Sequence, residues 1–321
     1  MATRRHLIPI RKRLSSSPLL RESYLQVKRI PNRLSDLDHS RPQRRSSADV
    51  SSFVVALTSY PARILTVHRT IESLRRQSLA PSRIVLALST DEFPDRRLPP
   101  QLVRLQSRGL ELIWSPGNLK SYKKLIPVRA RYPGETIVTV DDDVIYSRDF
   151  LRDLWEASEL RPTSIIGHRG WEIGAEESGR LLPYRSLNPA TPVSPPELIL
   201  LTGVGGIVYP AGSLPDELLQ DADLARKVCP RADDIWFWAL ARVKGTTIYC
   251  LGTHPEPFRI IEALRGSEKL GLQNVLGGGN DAQLGRAIAH FGLRDQILDV
   301  AARNRTQSAS PEKHQPPRGP A

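Results

Sequence analysis

The sequence predicts an α/β protein built on a doubly wound, mostly parallel sheet. Two observations point there. Short apolar runs alternate with helical apolar spacing four times between residues 53 and 160. One of those runs ends in three consecutive aspartates, and sheets of this kind bind ligands beyond the carboxyl ends of their strands. With 321 residues, 40% of them hydrophobic, the chain is long enough for a sizeable core.

The elements follow in order. Residues 53–57 form a short apolar strand, and Ile64, Val67, Ile71 and Leu74 then recur at helical spacing. Residues 84–88 are a second strand, 98–106 a helix and 110–114 a third strand. A helix over 123–131 tolerates Pro127 only near its first turn. The fourth strand, 137–140, ends in the aspartates, and a helix over 150–160 buries Phe150, Leu151, Leu154 and Trp155. Four such units imply a parallel sheet with crossover helices. The second half is less regular. Strands are expected at 164–167, 198–201, 206–209 and 246–250, and helices at 234–243 and 282–290. Residues 171–197, with five prolines, read as loop.

Asp141, Asp142 and Asp143 are the most informative feature. Like charges about 4 Å apart repel by roughly 4 kcal/mol at an effective dielectric near 20. Three carboxylates at a strand end therefore call for a cation. Hard oxygen ligands suit Mg²⁺ or Mn²⁺, and such ions take one or two carboxylates plus substrate phosphates. The plain alternative is a solvated turn, which Asp commonly occupies. The apolar strand before the triplet and the apolar helix after it argue against that.

The charge is uneven. Of a net +12, the first 48 residues carry a surplus of nine, from ten arginines and two lysines against Glu22, Asp36 and Asp38. Residues 1–50 read as a basic, disordered leader, which either stays solvated or meets an anionic membrane surface. Tyr24 is its only aromatic apart from histidines, so it lacks the interleaved rings of a single-strand nucleic-acid binder, and no nucleic-acid partner is expected. The folded region is expected over 51–303, in halves 51–150 and 151–303, with a disordered tail from 304 to 321. No run of eighteen apolar residues predicts a membrane span. The start of the chain is a poor signal peptide, because its apolar stretch is short and runs into Arg11-Lys12-Arg13. Cys229 and Cys250 fit a reducing compartment and make no zinc site. The expected location is cytoplasmic, peripheral to the inner face of the membrane where the leader makes contact.

Other motifs carry weaker signals. Asp233-Asp234 at a helix start is either a capping pair or a source of a general base. Thr202-Gly203-Val204-Gly205-Gly206 is a simple turn or a substrate-contact loop through Gly205 and Gly206. It is no dinucleotide fingerprint, because a strand follows the glycines instead of preceding them. Lys123 and Lys124 could neutralise a diphosphate, although one of two adjacent lysines should face solvent. Tyr60, after the first strand, could stack on a base or pack on Pro61. His254 is a candidate further metal ligand or a structural histidine, and His68 has no expected chemistry.

Together these motifs resemble a metal-dependent glycosyltransferase of the GT-A fold. Residues 54–91, with Thr58-Ser59-Tyr60, the helix Thr70-Ile71-Glu72-Ser73-Leu74-Arg75-Arg76-Gln77 and Asp91, look most like the opening of family 2. The order triplet, glycine turn, Asp233-Asp234 is similar to the beta-1,3-galactosyltransferase group, where the acidic pair is usually Glu-Asp before Val; here it is Asp-Asp before Ile235. The fuller string, adding Ser121-Tyr122-Lys123-Lys124, residues 202–210 and residues 232–237, is similar to bacterial glycosyltransferases of surface-polysaccharide pathways. The resemblance spans roughly residues 53–290. It implies a Rossmann-like nucleotide-binding half with an acceptor-side extension. It implies transfer of a sugar from a nucleoside-diphosphate sugar to a hydroxyl of a saccharide or lipid-linked acceptor, with inversion. Asp141 and Asp143 would face Mn²⁺ or Mg²⁺, and Asp142 would contact ribose or donor sugar. Asp234, with Asp233 second, would be the base. Thr58, Tyr60 and Asp91 would hold the nucleotide, with Lys123 or Lys124 on the diphosphate. Trp236 would lie under a sugar ring or pack in the core.

Two alternatives stand beside this one. Asp141-Asp142-Asp143-Val144 also satisfies the Asp-x-Asp-x-Thr/Val pattern of haloacid-dehalogenase-type phosphatases, although that nucleophile normally follows the first strand of its domain. A metal-dependent nucleotidyltransferase belongs with this reading. The other alternative is a non-catalytic nucleotide-sugar-binding protein anchored by its leader.

Overall fold

Strand β1 (Phe53–Thr58) lies inside a seven-stranded sheet, next to its middle strand. The computed structural model describes residues 52–252, 259–261 and 278–309. The leader, His254 and residues 310–321 of the tail lie outside the described residues. The remaining large-sheet strands are β2 (Arg83–Ser89), β3 (Leu110–Ser115), β4 (Thr136–Thr139), β6 (Ile165–Gly167), β10 (Ile207–Tyr209) and β11 (Ile248–Cys250). Their spatial order is β11-β6-β10-β4-β1-β2-β3. Only β10 runs antiparallel to its neighbours. The sheet is the mostly parallel, Rossmann-like one expected.

Successive side chains of β1 point to opposite faces and bury in separate cores. Phe53, Val55 and Leu57 join one cluster, with residues of α1 (Val67–Arg75), α2 (Pro100–Gln106) and α4 (Phe150–Leu160). Val54 and Ala56 join the other, with α3 (Ile126–Arg131), α7 (Asp233–Lys244), α8 (Gly279–His290) and α9 (Arg294–Ala309). Helices on both faces explain why β1 and β2 are apolar almost throughout. Trp155 is only partly buried, and its ring stacks on Phe53 at 4.9 Å.

Several expectations shift. The helix placed over 123–131 is two pieces, a 3₁₀ turn Lys120–Lys124 and α3, which meet at Leu125. Pro127 lies in the first turn of α3, where its missing N–H costs no helical bond. The loop-rich stretch contains β7 (Gly170–Glu172) and β8 (Asn188–Pro189), which pair with β9 (Ile199–Leu201) in a small antiparallel sheet. Short β5 (Val144–Ile145) pairs with β12 (Arg259–Ile260). Helices α5 (Asp216–Gln220) and α6 (Ala222–Val228) were not foreseen, nor was α9. That last helix corrects the boundary at 304. It continues to Ala309, with Asn304 Nδ2 donating to Glu172 at 2.8 Å and Arg305 to the Ala175 carbonyl at 2.7 Å.

Candidate active site

Strand register brings the site together. Strands β1 and β4 pair in parallel with Ala56 beside Thr139, so Ser59 and Asp142, each three residues beyond that pair, fall side by side. Ser59 Oγ donates to Asp142 Oδ2 at 2.6 Å. Strand β10 enters antiparallel, with Ile207 beside Thr139, so the glycine turn before it also lies at the carboxyl edge of β4. Strand β6 contributes the residue just past Gly167 and His168, Arg169.

The three aspartates diverge. Asp142 is buried and accepts from Arg63 Nη1 at 2.7 Å as well as from Ser59, while its backbone carbonyl accepts from Thr70 Oγ1 at 2.9 Å. Its carboxylate faces the protein, which corrects the expected contact with ribose or donor sugar. Asp143 keeps 21% of its side chain accessible and pairs with Arg63 at 3.0 Å. Burial and then neighbouring Asp141 push its carboxyl up to about 6, against the pull of Arg63. Asp141 keeps 34% of its side chain accessible, and its backbone N–H donates to Tyr146 Oη at 3.0 Å.

Lys124 joins the triplet to the second acidic motif. Its Nζ lies 3.2 Å from Asp141 Oδ1, 2.9 Å from Asp233 Oδ2 and 3.7 Å from Asp234 Oδ1. Burial opposes its charge, but Asp233, Asp141 and Asp234 outweigh burial and hold the ammonium well above the ordinary lysine value. Neither acid caps its own helix. Ala232 is the N-cap of α7 with no side-chain bond, while Asp234 Oδ2 accepts from the backbone N–H of Gly203 at 3.0 Å. Burial pushes the Asp234 carboxyl up to about 7, with Lys124 pulling the other way. A base is most effective when its pKa lies near the working pH. The side chain is still 27% accessible, so water softens the burial effect.

The glycine turn is packed shut. A Cβ on Gly203 would stand 2.6 Å from Lys124 Nζ and 2.7 Å from Asp141 Oδ1. One on Gly205 would meet the Arg169 backbone nitrogen at 2.7 Å. Gly206 has φ +65°, and a Cβ there would strike Phe150 at 2.4 Å. Gly205 and Gly206 are therefore buried packing positions and not the substrate-contact surface expected of them.

Other assignments need correction as well. Lys123 and Lys124 are both buried, so neither faces solvent. Lys123 pairs with Glu92, which Asn118 Nδ2 also reaches at 2.9 Å, so its ammonium is committed away from the triplet. Trp236 is fully buried and packs on Phe291, with ring centroids 5.5 Å apart; it is a core residue, not a sugar platform. Thr58 spends its hydroxyl on the Ala87 carbonyl at 2.8 Å, joining β1 to β2. Tyr60 is half-buried, with the Arg63 guanidinium 5.6 Å from its ring centre. Asp91 is exposed and accepts from Gly117 N–H at 3.1 Å.

The triplet offers oxygen donors of the type a hard divalent ion takes. With Asp142 turned inward, Asp141 and Asp143 remain as two partly accessible carboxylates. No group of three or more His, Cys, Asp or Glu able to hold a metal occurs among the described residues. Two carboxylates with open positions is the arrangement Mg²⁺ and Mn²⁺ accept when phosphate oxygens complete the shell.

No family model matches the chain, and no curated protein matches it. Solved structures similar to it include S. aureus TarS 1-349, at 17% identity over 81% of this chain and 73% of that one, with a TM-score of 0.41. Another is 4-diphosphocytidyl-2C-methyl-D-erythritol synthase, at 12% identity over 64% of this chain and 91% of that one, TM-score 0.41. A third is UTP-bound UGPase from Acinetobacter baumannii, at 11% identity over 81% of this chain and 100% of that one, TM-score 0.39. The chemistry of the site therefore rests on its own side chains.

Proposed function

We propose that the protein is a glycosyltransferase that moves a sugar from a nucleoside-diphosphate donor to a hydroxyl of a saccharide or lipid-linked acceptor, with inversion. One observation carries the reading. Two acidic motifs some ninety residues apart share a single buried ammonium, Lys124, at the carboxyl edge of the sheet. The arrangement supplies a cation-binding pair and a separate carboxylate of raised pKa. Metal-assisted inverting transfer from a diphosphate donor uses both.

Asp141 and Asp143 would hold Mn²⁺ or Mg²⁺, which when bound neutralises the charge of the departing nucleoside diphosphate. Asp142 anchors the triplet by pairing with Arg63 and Ser59. Asp234 takes the acceptor proton as its hydroxyl attacks the anomeric carbon. The Gly203 N–H and Lys124 fix the orientation of that carboxylate, and Asp233 holds Lys124 in place. Asp91 and Tyr60, beyond β2 and β1, would contact the nucleotide. The triplet follows the fourth strand, after three strand–helix units, which weighs against a phosphatase whose aspartyl nucleophile follows the first strand.

The test is a panel of nucleoside-diphosphate sugars and nucleoside triphosphates in thermal shift, with Mn²⁺ and then with chelator. A ligand that binds only the folded state raises the melting temperature as its concentration grows. Metal-dependent stabilisation by at least one diphosphate sugar is expected, lost in Asp143→Ala. Stabilisation by nucleoside triphosphates alone, with pyrophosphate release, would overturn the proposal.

A further inference from the structure

Arg169 stands out among the basic side chains near the site. Lys124 is held by aspartates, Lys123 by Glu92, and Arg63 by Asp142 and Asp143. Arg129 donates to the carbonyls of Tyr209 and Pro210, and Arg242 to that of Thr246. Arg169 has no such partner. Among the described residues no carboxylate stands within 4.0 Å of its guanidinium. What it has is Thr202 Oγ1, to which Nη1 donates at 3.3 Å, and the ring of Trp171, whose centre lies 4.9 Å away.

The backbone that carries it is nevertheless fixed in place. The Arg169 carbonyl accepts from Thr202 N–H at 2.9 Å, and Gly205 packs against its backbone without room for a Cβ. Thr202 adjoins Gly203, whose N–H holds Asp234 and whose Cα faces Lys124 and Asp141. The guanidinium thus stands one residue from the reacting edge. Burial drains its basicity, and the charges of Asp234 and Asp141 only partly offset that. A half-buried guanidinium with free donors leaves a desolvation cost that an oxyanion would relieve. Stacking on an aromatic ring is a common way to present an arginine to such a group.

We propose that Arg169 binds an oxyanion of a substrate, a phosphate or a carboxylate, at the Asp234 side of the site. Trp171 and Thr202 preorganise it, so little ordering is left to occur on binding. The inference deepens the transferase reading and rests on it for the two sources of the anion. These are the diphosphate of the donor and an acidic group on the acceptor saccharide.

Isothermal titration calorimetry separates them. The probes are UDP, GDP, CDP and ADP with Mn²⁺, inorganic pyrophosphate, and glucuronic acid or glucose 6-phosphate against glucose. Arg169→Ala should weaken the anion that binds wild type by about tenfold or more, as expected for losing a charge-assisted bidentate contact. Arg169→Lys, which keeps the charge without the planar fork, should recover part of it. Near-UV circular dichroism matching wild type shows the fold intact, and Thr202→Val should give a smaller loss in the same ligands. Weakened diphosphate and pyrophosphate binding assigns the residue to the donor. Weakened glucuronate or sugar phosphate alone assigns it to the acceptor. If every probe binds Arg169→Ala as it binds wild type, or none binds wild type, the proposal is overturned. Failure of all four nucleoside diphosphates, with pyrophosphate or glucuronate still dependent on Arg169, counts against the transferase reading and leaves the anion site standing.

Discussion

Lys124 and Asp233 form a buried ion pair, 2.9 Å between Nζ and Oδ2, with only 5% and 10% of the two side chains accessible. The pair connects the 3₁₀ turn before α3 to the first turn of α7. From the same nitrogen Lys124 also reaches Asp141, so one side chain balances acids from two distant stretches of chain. The charge demand of the triplet, which the sequence assigns to a metal alone, is met in part within the protein by Lys124 on Asp141 and Arg63 on Asp142 and Asp143. A divalent ion would add to this framework.

Lys124→Met should therefore destabilise the fold. Removing one partner of a buried pair costs about 3–5 kcal/mol, because the other charge is left uncompensated. Urea unfolding measures it as a lower midpoint at unchanged slope. A midpoint within error of wild type would show that Asp141, Asp233 and Asp234 do not depend on the ammonium.

Gly203→Ala addresses geometry instead of charge. The new methyl group would stand 2.6 Å from Lys124 Nζ and 2.7 Å from Asp141 Oδ1, so one of them must move. Displacing a catalytic group by about 1 Å can cost roughly a hundredfold in rate. Transferase turnover should fall by about that much, with the melting temperature moving by a few degrees at most. Wild-type turnover in this variant would remove the glycine turn from the site.

The fold was legible because the first half is regular. Strands β1 to β4 read as apolar runs, and the ligand edge follows from their parallel order. The Lys124–Asp233 contact was not legible, because it joins residues 109 apart through packing that no local pattern records. Ser59 and Arg63 were missed for a related reason. Their chemistry appears only once β1 and β4 are set in register and Ser59 falls beside Asp142. Arg169 carries no motif at all and gains meaning from Trp171 and Thr202. Of the two readings of Trp236, sugar platform or core residue, the second holds, because α7 buries apolar side chains around most of its circumference. Gly205 and Gly206 were recognised as special, but for the wrong neighbour: they make room for Arg169 and Phe150.

The pH dependence of turnover should report Asp234. A base acts when ionised, and burial raises this carboxyl to about 7. The rate should rise with pH, reach half its plateau at or below about pH 7, and stay flat above. A bound cation adds positive charge nearby and moves the midpoint down, not up. Asp234→Asn should lose about 10²–10⁴ in kcat, the usual worth of a general base, and lose the rising limb with it. A rate that falls between pH 6 and 8 in the wild type would exclude an ionised Asp234 as the base.

Asp142 and Asp143 are neighbours in sequence with opposite expected phenotypes. Asp142 is buried against Ser59 and Arg63, whereas Asp143 is partly accessible at the ligand edge. Asp142→Ala leaves the Arg63 guanidinium and the Ser59 hydroxyl without their best acceptor, a cost of about 1–3 kcal/mol with more where the group is charged. Unfolding should show that loss in metal-free protein. Asp143→Ala removes both a repulsion with Asp141 and an ion pair with Arg63, effects of opposite sign, so the metal-free fold should change less than in Asp142→Ala. Its effect should appear as lost manganese binding, followed by calorimetry or by electron paramagnetic resonance of the free ion. If Asp143→Ala binds manganese as wild type does while Asp142→Ala does not, the inner and outer aspartates have been assigned the wrong way round.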